Sequence, residues 1–391
     1  MKTLLVTNKP FLPAIDGGTA ASESFVKNLL SEKVEIKHLS FSSEKHPFDK
    51  KLYETDEWNT LKTESISIHL KPSLIGAVQA IVFGKSYQLS RFESKEMLTA
   101  FEKSVNGCFF DFIVLDSLYS AQMIERLKKL APNSKFVLRM HNVESKITDQ
   151  KAKIEKKWFK RSYLKLLAYQ IKKREKSILH QCDLILSISE EDCNVFRSWT
   201  NSRIITLPYF PSQKNLKWTD KPDSFMHFGA MNWHPNLMSY ERLRDKLFPL
   251  ILEACPNSNL KIAGSFMDSL EVPSNSRIEL LGFVADKFEF LSTNGILLAP
   301  IESGSGVRVK IIDALSIGVP VITTTAGAQG IPLKNNEGLI ICNTDEEFIL
   351  QAVALSRDKN KRIALSQKAL DFYNNWYSAY SLSNLIRDNV R

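Results

Sequence analysis

The stretch APIESGSGVRVKIIDALSIGVPVITTTAGAQGIP, from Ala299 to Pro332, decides how this chain folds. It leaves an apolar run at Ile296 to Ala299 that is short enough to be a buried strand. It then crosses a glycine-rich turn, GSGVRVK from Gly304 to Lys310, and runs helically to Ile317. A β-branched run follows at Val321 to Thr324. Strand, loop, helix and strand in that order make the repeating unit of a parallel sheet with crossover helices.

The same alternation extends in both directions. Toward the N-terminus strands are expected near Leu4–Thr7, Phe112–Leu115, Phe136–Arg139 and Leu184–Ile188, with helices such as Tyr119–Leu130 and Glu190–Trp199 between them. Around the opening stretch, strands are expected near Phe225–Phe228, Leu260–Ala263, Ile278–Leu281 and Leu339–Ile341. The segment Pro208–Pro222 holds three prolines and no periodicity, so it reads as a linker with a boundary near residue 215. At 391 residues the chain is long enough for two domains, each with its own core. The expectation is therefore two Rossmann-like α/β halves, 1–215 and 216–370. After them, 371–391 forms an aromatic closing helix with Phe372, Tyr373, Trp376, Tyr377 and Tyr380.

Composition narrows the class. With 43% apolar and 24% charged residues the chain is an ordinary globular protein. Cys108, Cys182, Cys193, Cys255 and Cys342 are scattered and odd in number, which argues against a disulfide framework or a zinc site and fits a reducing, cytoplasmic setting. Residues 2–7 read as a strand rather than a signal segment, because Asn8, Lys9 and Pro10 follow too soon. No apolar run approaches the roughly 18 residues of a membrane span. The net charge of +9 suits anionic partners, and Glu144–Lys176 alone carries twelve basic and four acidic residues. Within it, Ile154, Trp158 and Phe159 lie among Lys153, Lys156, Lys157, Lys160 and Arg161, so residues 151–161 are expected to meet an anionic membrane surface peripherally. A solvated basic helix is the alternative.

In an open α/β sheet, ligands bind beyond the carboxyl ends of the strands, so the residues directly after each strand carry the chemistry. After the first strand come Gly17 and Gly18, which admit a ligand close to the backbone at a helix start or simply make a turn. His141 ends the Phe136 strand. Gly229 and Asn232 follow the first strand of the second half, with Trp233 beside them, while His227 and His234 lack metal-ligand spacing and read as structural. Gly304, Ser305 and Gly306 offer a nest of backbone N–H groups to which Arg308 and Lys310 add charge, and diphosphate is the obvious anion. Asp313, further along the same helix, is placed to accept hydrogen bonds from a ribose.

Taken together, Gly17-Gly18, RMHNVE at Arg139–Glu144, SISEED at Ser187–Asp192, HFGAMNWHPN and the long Ala299–Pro332 motif resemble the retaining glycosyltransferases of the GT-B fold, family four. The resemblance implies two Rossmann-like domains whose parallel sheets face across a cleft. It implies a nucleotide-diphosphate sugar as donor, and a glycan, lipid-linked or protein acceptor. Gly17 and Gly18 would contact the diphosphate or leave room for the sugar, and His141 would lie by the reacting carbon. Arg308 and Lys310 would neutralise the leaving group, Asp313 would hold the ribose, and the closing helix would return to the first domain. No metal, other cofactor or nucleic acid is expected. Two departures stand out: Ser305 replaces the family's usual Glu, and Ala230 replaces an Arg frequent after the glycine of the second domain's first strand. Sugar recognition would then rest on backbone groups or Glu302. Two other readings of the same residues are a nucleotide-sugar epimerase and a non-catalytic α/β protein that binds nucleic acid or membrane.

Overall fold

The computed structural model describes residues 1–391 apart from 71–72, 74–75, 77–79, 81, 212–215, 269, 272, 305–306, 378–380, 391 and the side chain of Tyr377. Two sheets organise it, both wholly parallel. The first is ordered β3-β2-β1-β4-β5-β6-β7, with β1 Lys2–Thr7, β2 Glu35–Ser42, β3 Lys62–Ser67, β4 Phe112–Asp116, β5 Lys135–Met140, β6 Leu184–Ser187 and β7 Arg203–Thr206. The second is ordered β10-β9-β8-β11-β12-β13, with β8 Ser224–Phe228, β9 Asn259–Ala263, β10 Ile278–Gly282, β11 Ile296–Ala299, β12 Val321–Thr323 and β13 Leu339–Ile341. In each sheet the order runs outward from a central first strand and reverses once, as in a doubly wound fold.

The second sheet shows why a strand such as β11, ILLA, reads as a continuous apolar run. Side chains alternate between faces along a strand, and both faces are covered. Phe225, Leu260, Ile262, Ile296, Leu298, Ile322 and Ile340 enter one buried cluster with Leu243, Phe248 and Phe348. Their immediate neighbours Met226, Ala263, Leu297, Ala299, Val321 and Leu339 enter another, with Ile311, Leu315 and Tyr373. Truncating a two-sided core residue such as Leu297 to Ala is expected to cost about 2–5 kcal/mol.

Three strands escape the hydrophobic pattern. β2 is an inner strand yet carries His38 and Ser40, whose polar atoms meet Thr7 and Thr63 while the His38 ring packs against Phe11 at 5.1 Å. His38 Nε2 lies 2.9 Å from Thr7 Oγ1 and its Nδ1 lies 3.2 Å from Thr63 Oγ1. Burial pushes this imidazole down to about 3, so it is neutral at physiological pH. β3, KTESIS, is an edge strand with one apolar residue, and β7, RIIT, is an edge strand of only four residues. The expected helix Tyr119–Leu130 begins only at Ile124. Its first part is turned by local side-chain bonds, Ser120 Oγ to Ser117 O at 2.9 Å and Gln122 Nε2 to Leu118 O at 2.6 Å, which compete with the helical ladder.

Contacts group the chain into two units: Met1–Pro13 with Phe25–Pro208 and Ser381–Arg391, and Ala14–Ser24 with Tyr209–Tyr380. This differs from a single cut near residue 215. Ala14–Ser24, the segment holding Gly17 and Gly18, goes with the second unit. The part of the expected linker after residue 215 is strapped to that unit by Trp218 N to Ile317 O at 3.0 Å, Thr219 N to Ser292 O at 2.8 Å and Trp218 Nε1 to Gly295 O at 2.8 Å. The closing segment also divides. Helix Lys359–Tyr377 packs Ala369 and Tyr373 into the second unit's core. Helix Leu382–Asn389 belongs to the first unit, where the Glu32 carboxylate accepts from Leu382 N at 2.7 Å, Ser383 N at 2.8 Å and Ser381 Oγ at 3.0 Å.

Candidate functional site

In the second unit the strand ends converge on the loop between β11 and helix Val309–Ser316. Close backbone approach comes first. A Cβ on Gly264 would stand 1.8 Å from Gly229 O, and one on Gly229 would stand 2.5 Å from Asn236 Nδ2, which donates to Ala230 O at 2.9 Å. Glycine at both positions lets the ends of β8 and β9 pack this tightly. Gly304, at φ 114°, has Trp233 Cζ2 and Arg308 Nη2 each 3.1 Å from where its Cβ would be. The Arg308 guanidinium lies over the Trp233 ring at 5.3 Å, and its Nη2 donates to Gly304 O at 2.9 Å. It is only 3% exposed. Arg308 thus shapes the loop as well as charging it.

Lys310 lies on the first turn of the helix and is 8% exposed. Its Nζ has no hydrogen-bond partner among the described residues. Burial, and then the neighbouring Arg308 charge, push its ammonium down to about 7. His227, inward on β8, donates from Nδ1 to Leu298 O at 2.8 Å and is held well below its ordinary range by burial and by Lys310. Asp313 is 1% exposed, with both oxygens engaged: Oδ1 accepts from the Tyr209 hydroxyl at 2.7 Å and Oδ2 from Lys287 Nζ at 2.7 Å. Tyr209 and Lys287 thus hold the buried carboxylate between them. Neither partner has a local sequence signal, because each comes from a distant element.

Helix Gly17–Ser31 begins against the same loop, where a Cβ on Gly17 would touch Val309 Cγ2 at 4.0 Å. Asp16 caps it: Thr19 N donates to Asp16 Oδ1 at 2.8 Å, and Asp16 N donates to Thr19 Oγ1 at 2.9 Å. The Ser265 hydroxyl donates to Ile15 O, fastening the segment to the end of β9. The second unit therefore brings together Gly17, Gly18, Gly229, Gly304, Arg308 and Lys310. Asn232 is exposed beside Trp233, and Glu302 is exposed and paired with Arg242 at 3.0 Å. Ser305 and Gly306 lie outside the described residues.

The first unit carries a different cluster. Asp116 ends β4 and Arg139 lies on β5, and both are buried. Arg139 Nη1 donates to Asp116 Oδ1 at 2.8 Å, and His141 Nε2 lies 2.5 Å from the same oxygen. His141 is therefore held by a carboxylate that sequence reading did not single out, although it directly follows the expected strand. Behind it, Tyr119 donates to Glu144 Oε2 at 3.0 Å. The buried Glu175 accepts from Glu144 N at 2.7 Å, capping helix Glu144–Ile154, and burial pushes its carboxyl up to about 8.

Two parallel doubly wound units of this kind constitute the GT-B glycosyltransferase fold. Residues 222–358, which contain the convergent loop, match the family described as glycosyl transferases group 1. Among solved structures, the chain is similar to a variant of TarM from S. aureus in complex with fondaparinux, alpha-GlcNAc-glycerol and UDP, at a TM-score of 0.68, 12% identity and 100% coverage of both chains. It is similar to HepE from Anabaena with UDP and glucose, at a TM-score of 0.65 and 11% identity over 99% of this chain and 98% of that one. It is also similar to the pneumococcal O-GlcNAc transferase GtfA with UDP and GlcNAc, at 0.64 and 13% over 99% and 98%. In sequence, 296 residues are 23% identical to an uncharacterized 44.6 kDa protein in the cps region of Klebsiella pneumoniae, covering 72% of this chain and 74% of that one. Fold and family match together support a glycosyltransferase.

Proposed function

We propose that the chain is a retaining glycosyltransferase that passes a sugar from a nucleotide-diphosphate donor to a glycan, lipid-linked or protein-linked acceptor. One observation carries this reading: the buried Lys310 ammonium, without a partner among the described residues, beside Arg308 at a helix N-terminus. An unpaired buried cation is costly, and an anionic ligand removes the cost. A nucleoside diphosphate supplies the charge and fits the glycine-lined approach. The match of residues 222–358 and the nucleotide complexes of TarM, HepE and GtfA support the same donor class.

In the proposed reaction the bond from the anomeric carbon to the diphosphate oxygen breaks, and negative charge grows on that oxygen. Lys310 and Arg308 stabilise it more in the transition state than before. The leaving phosphate then takes the proton of the acceptor hydroxyl as that hydroxyl bonds to the same face of the carbon. Protein cations meet the diphosphate charge, so the proposal includes no metal. Gly17 and Gly18 leave room at the phosphates, Gly229 and Asn232 line the adjoining loop, and Asp313 acts on the ribose together with Lys287. His141, oriented by Asp116, serves the transferred sugar, an assignment that rests on the sequence resemblance.

The test is a thermal-shift screen across nucleoside diphosphates and their sugars, in EDTA, followed by NMR of the product's anomeric configuration. A shift with one nucleotide class and a product of retained configuration are expected. Transfer that needs added metal would overturn the metal-free part. Epimer formation without an acceptor would replace the reading with an epimerase.

A further inference from the structure

The helices Glu144–Ile154 and Trp158–Leu179 present a face that the sugar-transfer reading does not use. Helix Trp158–Leu179 has two apolar stripes. One is buried and holds Leu167, Ala168, Ile171 and Ile178. The other lies on the far side. Phe159, Tyr163 and Leu166 follow one another at i, i+4 and i+7, flanked by Trp158 and Tyr169, and all five are exposed, Trp158 at 76% and Tyr169 at 68%. Ile154, at the end of the preceding helix, adds a further exposed apolar side chain. The Trp158 and Phe159 rings pack edge to face at 6.1 Å, so they form one small platform. A single stripe suffices to fix a helix to a domain, and the second stripe stays exposed.

Charge surrounds this platform. Lys153, Lys156, Lys157, Lys160, Arg161 and Lys165 are all exposed. Of the four acidic residues in Glu144–Lys176, Glu144 and Glu175 are turned away: Glu144 meets Tyr119, and Glu175 caps the helix. Asp149 and Glu155 each pair with one lysine, Lys153 at 2.9 Å and Lys160 at 2.7 Å. The outward face therefore stays net basic, with Lys156, Lys157, Arg161 and Lys165 outnumbering its two lysine-paired carboxylates. We infer that this face docks on an anionic lipid bilayer, with Trp158, Phe159, Leu166 and Ile154 entering the headgroup boundary and the lysines and Arg161 meeting lipid phosphates.

The mixture selects this partner. Aromatic rings with an apolar body prefer the interfacial layer, and lysines reach past them to the phosphates. A nucleic acid would leave Ile154 and Leu166 without apolar contacts. Among the described residues no helix is long and apolar enough to cross a membrane, so the contact lies in the plane of the surface.

The experiment is co-sedimentation of the full chain with vesicles of phosphatidylcholine alone and of phosphatidylcholine mixed with phosphatidylglycerol, at low and high salt. Wild type is expected to bind only the anionic vesicles and to be released by salt. Changing Lys156, Lys157, Lys160 and Arg161 together to Gln is expected to weaken binding by at least about tenfold, since each basic residue near the surface contributes to attraction. Trp158→Ser with Phe159→Ser is expected to weaken it as well, while nucleotide-induced thermal shifts stay unchanged in both variants. Failure of wild type to bind anionic vesicles, or equal binding by all three proteins, overturns the inference. Sedimentation velocity closes the other route: a wild-type dimer that the Trp158→Ser and Phe159→Ser variant abolishes would give this face to a second copy. None of these outcomes depends on sugar transfer, so they separate from failure of the donor reading.

Discussion

The two units end their central strands in opposite electrostatic conditions. In the first, Asp116 and Arg139 neutralise each other at 2.8 Å, and His141 leans on the same carboxylate. In the second, the Arg308 guanidinium donates from Nη2 to Gly304 O while Lys310 Nζ, buried beside it, has no hydrogen-bond partner among the described residues. One cluster is closed and the other is open to an anion. On the proposed reading the difference separates two roles: the closed cluster positions a side chain, and the open one receives the anion.

Breaking the closed cluster gives the largest effect. Asp116→Ala strands a buried guanidinium, so a stability loss of about 3–5 kcal/mol is expected in chemical denaturation. Asp116→Asn, which keeps the shape, should lose less stability and still release His141. An unchanged denaturation midpoint in Asp116→Ala would show that the pair is not the anchor described.

Opening the second cluster further gives the next effect. Lys310→Ala and Arg308→Ala are each expected to slow transfer by roughly a hundredfold, the cost of removing a preorganised charge stabiliser. They should differ in the resting protein. Arg308→Ala also loosens the Gly304 loop and the Trp233 contact, whereas Lys310→Ala removes an unpaired charge and leaves thermal stability equal or higher. Equal destabilisation in both variants would contradict the contrast.

Much of this was legible in the chain itself. The strands β11–β13 are mostly apolar runs, and the turn from Gly304 to Lys310 holds the residue types on which the proposed anion site rests. β2 was not legible, because one of its two buried faces carries polar residues, satisfied by hydrogen bonds among Thr7, His38, Ser40 and Thr63. The partners of Asp313 were hidden for a different reason. Tyr209 lies 104 residues away and Lys287 26 residues away, and only the fold brings them to one carboxylate. Asp116 lay within reach of the strand-end rule and shows that a residue closing a strand deserves the same scrutiny as those after it.

A smaller effect separates the units by pH. Glu175 of the first unit, raised from 4.5 to about 8, binds a proton in the folded state that the unfolded chain has released, so its contribution to stability falls as pH rises between those values. Lys310 of the second unit, lowered from 10.5 to about 7, has the opposite sign: the unfolded chain holds the proton, and stability rises across that window. Glu175→Gln keeps an acceptor for Glu144 N and should flatten the first slope in denaturation profiles. A slope unchanged by that substitution would remove Glu175 from the account.

The most direct test of the open cluster is the affinity for UDP, titrated calorimetrically in EDTA from about pH 7 upward, for wild type and for Lys310→Met. Binding an anion favours the charged ammonium, so above about 7 the free protein must take up a proton to bind. The account predicts that wild-type affinity falls as pH rises, with proton uptake visible as a buffer-dependent heat, and that Lys310→Met binds more weakly with neither feature. Wild-type affinity that is level across this range, or equal affinity in the variant, would contradict the claim that Lys310 awaits a diphosphate.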